Sequence, residues 1–398
     1  MQTNPAIDAL GPNPFTRLRL LHDAAGAPPA GLAPLPLHIG EPKHQPPGFV
    51  AEIIAANAHL WNEYPAVQGT AELRGAIADW LARRYGLPAE MIDADRHVLA
   101  LNGTREGLYL AVQLVVPEVK AGGHPAVLLP NPYYQVYYGA SVMQRAETVP
   151  MAATRETGFL PDPAALPKAL LDRTALVFLC TPANPQGAIA SLDYLKAALR
   201  LARTHDFVLA VDECYSEIWD RAAPPGALEA AAALGGGLDN LLVFHSLSKR
   251  SSAAGLRAGF VAGDERLIRK FFTLRSYAAA QVPLPIQAAA AALWRDEPHV
   301  VENRDRYRGK IDAAERVIGN RFGFYRPEGG FFLWLEVGDG EDAARRLWRE
   351  AAVKVLPGGY VGIADANGRN PGADYIRVAL IHDEATIAEA MSRMAAVL

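Results

Sequence analysis

Ser246-Leu-Ser-Lys249 places one lysine just beyond the apolar run Leu241-Leu-Val-Phe244 and eight positions before Arg257, inside sequence rich in Ser and Gly. The apolar run reads as a buried parallel strand, and in open α/β sheets ligands collect beyond the carboxyl ends of the strands. A surface lysine is protonated and a poor nucleophile. A desolvated lysine beside other cations gives up its proton and attacks carbonyls, forming a Schiff base with an aldehyde cofactor. Alone, Ser-Lys-Arg reads equally as a solvated loop, so its meaning depends on what else the chain brings to the same rim.

Phe207-Val-Leu-Ala-Val-Asp-Glu213 is a second apolar run, and it ends in two acids. An aspartate there, Asp212, can keep a ring nitrogen protonated through a charge-assisted hydrogen bond, as a pyridine cofactor requires to act as an electron sink. The competing readings are an acid facing water or a metal ligand shared with Glu213. Tyr215 can reach a phenolic oxygen on such a ring, or fill the core. Asn102-Gly-Thr-Arg-Glu-Gly107 lies between Val98-Leu-Ala-Leu101 and a helix. Gly103 and Thr104 at a helix start present free backbone N–H groups and a positive dipole end, an anion site that suits a phosphate. Thr104 followed by Glu106 also makes an ordinary helix start. Ser246 and Arg257, the latter with a planar fork of donors, can complete the cup; for Arg257 a surface salt bridge is the alternative. Asn131-Pro-Tyr-Tyr-Gln-Val-Tyr137 offers Tyr134 for stacking on a planar ring. Thr181-Pro-Ala-Asn-Pro-Gln-Gly187 has the residues of a turn and offers Asn184 as a donor to an aromatic oxygen.

These residues require elements that bring several strand ends together. Apolar runs at Ala126 to Leu129, Ala175 to Leu179, Phe207 to Val211, Leu241 to Phe244 and Gly259 to Ala262 alternate with helix-like segments such as Arg105 to Val115 and Leu192 to Thr204. The alternation predicts an α/β fold, a mainly parallel sheet covered by helices on both faces. Helical spacing also marks Glu52 to Leu60, Thr70 to Tyr85, Ile286 to Trp294 and Asn303 to Asn320. Strands at Gly330 to Leu335, Val353 to Leu356 and Tyr375 to Ala379 then predict a smaller α+β domain. The expected division is a Pro- and Gly-rich arm over residues 1–47, a large domain over 48–290 and a small domain over 291–398.

Half of the 398 residues are hydrophobic and the net charge is −4, which gives no electrostatic footprint for nucleic acid or an anionic membrane. Small molecules are the expected partners. Cys180 and Cys214 make no disulfide framework and read as thiols of a reducing cytoplasm. No charged segment followed by an apolar stretch opens the chain, so neither export nor membrane insertion is expected.

Taken in order, Lys249 with Ser246 and Arg257, Asp212 with Tyr215, Asn184-Pro-Gln-Gly187, Gly103-Thr104 and Tyr64-Pro65 resemble the signature set of class I/II aminotransferases, the pyridoxal 5'-phosphate enzymes of fold type I. The resemblance runs from Ile39-Gly40 to Arg377. It implies that Lys249 carries the cofactor as a Schiff base and moves the proton, that Asp212 pairs with the pyridine nitrogen, and that Asn184 and Tyr215 hold the ring oxygen. Gly103, Thr104, Ser246 and Arg257 would bind the phosphate and Tyr134 would stack. Arg377 would clamp the substrate α-carboxylate with Gly40 and Asn184, and Tyr64 would serve the neighbouring subunit of a homodimer with shared active sites. One departure is Gln186, where the family usually has threonine.

Leu37-His-Ile-Gly-Glu-Pro-Lys-His44, Asn13-Pro-Phe15 and Asn131 to Tyr137 resemble the succinyldiaminopimelate aminotransferases of lysine biosynthesis, which use glutamate as donor. Lys43, His44, Arg105 and Arg275 are then candidates for distal carboxylates, with solvated surface charge as the alternative for each. A broad aspartate, alanine or aromatic aminotransferase, or a C–S lyase, would use the same cofactor set. A transcription regulator with an aminotransferase-like sensor would need a basic DNA-binding domain that residues 1–47 do not supply.

Overall fold

The computed structural model describes every residue except 2 and 366. Its twelve strands are β1 (Leu35–Pro36), β2 (Val98–Leu101), β3 (Ala126–Asn131), β4 (Glu147–Ala152), β5 (Thr174–Cys180), β6 (Val208–Asp212), β7 (Leu241–Ser246), β8 (Gly259–Gly263), β9 (Phe332–Glu336), β10 (Val353–Lys354), β11 (Leu356–Pro357) and β12 (Tyr375–Ala379). Seven of them form the central sheet in the order β2-β8-β7-β6-β5-β3-β4. Only β8 runs antiparallel to its neighbours. The sheet is buried on both faces because its strands are apolar throughout. Val177 and Leu179 of β5 join the core on one side, and Leu176 and Phe178 join the core on the other. Helices Ala71–Tyr85, Leu192–His205 and Leu284–Arg295 cover the first side, and Thr104–Val115, Gln135–Met143 and Glu265–Ala278 the second. A fully buried side chain such as Phe178 or Phe244 contributes roughly 1.5–3 kcal/mol of transfer free energy. This is the mixed α/β architecture that the alternating strands and helices predict.

Antiparallel strands in the order β11-β12-β9 make a separate small sheet. It packs with helices Pro298–Ile318, Gly340–Ala351 and Glu384–Val397 around Leu333, Ile376 and Met391. The apolar segment Val353 to Leu356 is not one strand. It breaks at Val355, and β10 pairs in parallel with β1 while β11 pairs with β12. The predicted helix Glu52 to Leu60 is likewise divided at Asn57, into Phe49–Ala56 and a 3-10 turn over Ala58–Asn62.

The first 47 residues hold helices Pro5–Leu10 and Pro14–Ala25, which the Pro and Gly content concealed. In each, an asparagine caps the helix start, proline takes the first position and glycine ends it, the arrangement that favours a helix. The second helix carries His22, stacked on Trp348 at 5.0 Å between ring centroids. Burial lowers the pKa of both His22 and His38 to about 4, with the Lys354 ammonium adding to the effect. Both imidazoles are therefore neutral in the folded chain, and the stability tied to that state is complete above pH 6.5 and lost as pH falls toward 4. At pH 5 the cost is about 2 kcal/mol per imidazole. The hydrogen-exchange protection factors of residues 14–25 are expected to fall between pH 7.5 and pH 5 ahead of those of the central sheet; equal protection factors at both values would refute this.

Candidate functional site

The carboxyl ends of β2, β3, β5, β6 and β7 converge on one rim, and the segments leaving them carry Gly103, Tyr134, Asn184, Asp212 and Lys249. Arg257 reaches the same rim from the opposite direction, because it immediately precedes the antiparallel β8. A cavity of about 550 Å³ opens there, lined by Gly40, Thr104, Arg105, Tyr134, Asn184, Asp212, Tyr215, Ser246, Lys249, Arg257 and Arg377.

Lys249 stands on the single helical turn Leu247–Arg250, which Ser246 caps by accepting from the Ser248 N–H at 3.1 Å. Its ammonium donates to the Gly40 carbonyl and lies 5.4 Å from the Phe331 ring centroid. Burial lowers its pKa to about 8; Arg377 and Arg257 push the same way, while Cys214 and Glu41 oppose. Gly40 must be glycine, since a Cβ there would stand 2.5 Å from the Phe332 ring. Asp212, at the end of β6, accepts from the Tyr137 hydroxyl at 2.7 Å and from the Cys214 N–H at 3.2 Å. Burial raises its pKa, and these two donors work against that rise. Glu213 turns away from the cavity, accepting from the Tyr85 hydroxyl at 2.8 Å and the Ala227 N–H at 2.7 Å. The two strand-end acids therefore do not act together.

Arg377, on β12, donates to Asn184 Oδ1 at 3.1 Å and to the His38 carbonyl at 2.9 Å. Its Nε is buried and has no partner. Burial lowers its pKa to about 10, which leaves it charged at neutral pH and in need of an anion. Tyr215 is buried edge-on to Phe331 and Phe332. Across the rim, Gly103 (φ 77) opens helix Thr104–Val115 with no side-chain cap, so its first N–H groups remain available. A Cβ on Gly103 would collide with the Arg257 guanidinium. Ser246 Oγ donates to Ser248 Oγ at 3.0 Å beside them. At the outer wall, Arg105 Nε donates to the Tyr134 hydroxyl at 3.0 Å.

Three candidates for distal carboxylates lie elsewhere. Lys43 pairs with Glu41 at 2.5 Å, with both side chains about half exposed, and with His44 lines a separate cavity. His44 is bonded to Asn303 at 3.1 Å. Arg275 is only 1 % exposed and spends its donors inside the protein, on Glu106, Val67, Ala100 and Ala280. Tyr64 is fully exposed and outside the cavity. Gln186 is buried and donates to the Ala153 carbonyl at 3.3 Å, so it does not enter the site. Sequence reasoning missed Ser248 and Tyr137. Tyr137 follows Tyr134 by three positions, a spacing that puts both on one side of a helix start.

The chain matches the family model for aminotransferase class I and II over residues 34–394. It belongs to that family. This aminotransferase is 33% identical over 372 residues to the 4-dedimethylamino-4-oxo-anhydrotetracycline transaminase of Streptomyces rimosus, covering 93% of this chain and 95% of the relative. It is 32% identical to the LL-diaminopimelate aminotransferase of Desulforudis audaxviator, covering 97% and 95%. Among solved structures it is similar to an aminotransferase from Neisseria meningitidis, with a TM-score of 0.93, 40% identity and 99% of each chain covered. No helix among the described residues is long and apolar enough to cross a membrane.

Proposed function

We propose that this aminotransferase uses pyridoxal 5'-phosphate bound through Lys249 to exchange an amino group between glutamate and a long dicarboxylic keto acid, the succinylated diaminopimelate precursor foremost. The donor set fits the cofactor. Thr104, Ser246, Ser248, Arg257 and the open helix start can surround a phosphate, and glycine at 103 leaves room for the Arg257 guanidinium beside them. Asp212 supplies a buried acid for a ring nitrogen, with Asn184 and Tyr215 for the ring oxygen and Tyr134 for the ring face.

When bound, pyridoxal phosphate supplies an electron sink for charge left on the substrate α-carbon. The chain supplies the rest. Lys249 Nζ, made a weaker base by burial, would take the α-proton and hold it within the site for return. The free Nε of Arg377 and its two braced nitrogens hold the α-carboxylate in a fixed plane. Tyr137 and the Cys214 N–H favour the ionised form of Asp212 against the pull of burial.

The observation that carries the substrate reading is a second arginine, Arg105, on the wall of the cavity that holds Arg377. With Lys249 and Arg257 assigned to the cofactor, Arg105 and Arg377 remain as two further cations on the cavity of about 550 Å³, which suits a substrate with two carboxylates. A second reading, the unacylated LL-diaminopimelate, is favoured by Glu41, which lines the same cavity and can exchange its half-exposed Lys43 partner for a substrate ammonium. The LL-diaminopimelate relative supports the shared part of both readings. The reading includes a homodimer, since Tyr64 is left fully exposed and Trp61 more than half exposed, an aromatic surface for a second copy to cover.

A coupled assay with glutamate as donor decides between acceptors. The succinylated keto-pimelate, and next the unacylated compound, are expected to give kcat/KM at least about tenfold above oxaloacetate, pyruvate or phenylpyruvate, the scale of one carboxylate contact. Equal values across the panel would remove the substrate assignment and leave transamination standing.

A further inference from the structure

Lys249 is carried by a helical turn of only four residues, Leu247–Arg250. A turn this short leaves its last carbonyls without donors from the helix itself. Two of them receive the two amide hydrogens of a single side chain. Asn303 Nδ2 donates to the Lys249 carbonyl at 3.0 Å and to the Arg250 carbonyl at 3.2 Å. Asn303 lies on helix Pro298–Ile318 and is only 6 % exposed. Among the described residues it is the one side chain bonded to the Lys249 backbone.

The other half of the amide is used as fully. Asn303 Oδ1 accepts from Ser252 Oγ at 3.1 Å and meets His44 Nδ1 at 3.1 Å. An amide has two donor hydrogens and two acceptor lone pairs, and all four are spent here. Carbonyls cannot donate, so the NH2 must face the turn and the oxygen must face Ser252 and His44. The same constraint places a proton on His44 Nδ1. His44 belongs to the stretch that also holds Gly40, whose carbonyl accepts from Lys249 Nζ. Both ends of Lys249, backbone carbonyl and ammonium, are thus tied to residues 40–44, the ammonium directly and the carbonyl through Asn303. Arg250 anchors the turn as well, on the Leu293 carbonyl at 2.6 Å and on Glu297 at 2.8 Å, but those bonds fix Arg250 rather than the lysine beside it.

We infer that Asn303, with His44 behind it, is a positioning residue for Lys249: its amide fixes the backbone of the turn so that Nζ enters the cavity from one place. Asn303 is not among the residues that line that cavity, so it acts only through the lysine. The inference rests on the role proposed for Lys249. Misplacing a reacting group by about 1 Å can cost roughly 10²-fold in rate, so releasing one end of the turn is expected to cost about tenfold.

The test measures how fast the apoprotein captures pyridoxal 5'-phosphate, with the adduct reduced by borohydride and located by peptide mass, alongside kcat and KM for glutamate in the holoenzyme. Asn303→Leu keeps the branched shape and removes all four bonds. Capture and kcat should each fall about tenfold, with KM within about twofold because Arg377 keeps both of its partners. His44→Phe keeps a ring beside Tyr307 and leaves both carbonyl bonds in place while removing one donor, so about threefold is expected on the same two rates. Ser251→Ala is the structural control. It removes a 2.8 Å bond to His299 from a buried residue at the end of the same turn without touching either carbonyl, and both rates should stay within about twofold whatever happens to the melting temperature. Capture by Asn303→Leu at the wild-type rate would overturn the inference, and so would a Ser251→Ala variant slowed as much as Asn303→Leu. Should Asn303→Leu not fold, His44→Phe decides, and its capture at the wild-type rate overturns the inference equally. Wild-type apoprotein that takes the cofactor at a different lysine would remove the functional reading itself, and this inference with it.

Discussion

Lys249→Ala is expected to lower kcat on the order of 10³-fold, the scale of lost general acid–base catalysis, while the protein remains folded. The lysine stands at the end of β7 on one helical turn, with its ammonium desolvated and bonded to Gly40. Holding a pKa of about 8 in the fold against an ordinary 10.5 costs about 3 kcal/mol at neutral pH in the apoprotein. The sign follows from a base whose charged form is disfavoured by folding. The fold carries the full cost below pH 8 and regains stability as pH rises toward 10.5. The alanine variant should therefore melt no lower than the wild-type apoprotein, which separates a catalytic loss from a structural one. Added methylamine should restore part of the rate by entering the space left by the side chain. A variant that transaminates near the wild-type rate would end the assignment of Lys249.

The second large effect is expected at Asp212. Asn in its place leaves one oxygen for the Cys214 N–H, while the Tyr137 hydroxyl, bonded to the other carboxylate oxygen, can turn to accept from the amide, so the local packing survives. What it loses is the negative charge. Removing one charge-assisted hydrogen bond of about 3 kcal/mol corresponds to roughly 10²-fold in kcat. Tyr137→Phe is the companion variant, because it leaves the charge and removes one of the donors that hold the carboxyl ionised. Its activity should fall on the acid side first, with the lower limb of the kcat profile moved to higher pH. Asp212→Asn with activity within about twofold of wild type would rule out the role.

Much of the site was legible because each strand of the central sheet announces itself twice. A run of apolar residues gives the strand, and the first polar residues after it give the rim, as in β6 with Asp212 and β7 with Ser246 and Lys249. Chain order alone then collects residues that lie far apart in sequence. The long cationic side chains were not legible in the same way. Lys43 and Arg275 sit near the site in sequence terms, yet where their charges end depends on partners such as Glu41 and Glu106 that only the tertiary structure supplies. The two arm helices were hidden by overall composition, although the order Asn-Pro at the start and Gly at the end marked both. Ser248 gave no signal of its own, because only the folded turn shows that its hydroxyl meets that of Ser246.

The short two-stranded pairing of β1 with β10 ties residues 35 and 36 to the segment that leads into β11 of the small sheet, and the next few residues supply the His38 carbonyl to Arg377 and the Gly40 carbonyl to Lys249. One stretch of chain thus works as a crank. Any shift of this stretch against the central sheet would move the carbonyl that braces Arg377 and the carbonyl that Lys249 bonds in the same stroke. On the roles proposed for Arg377 and Lys249, a variant that loosens this stretch is expected to disturb both together even with every reacting side chain in place.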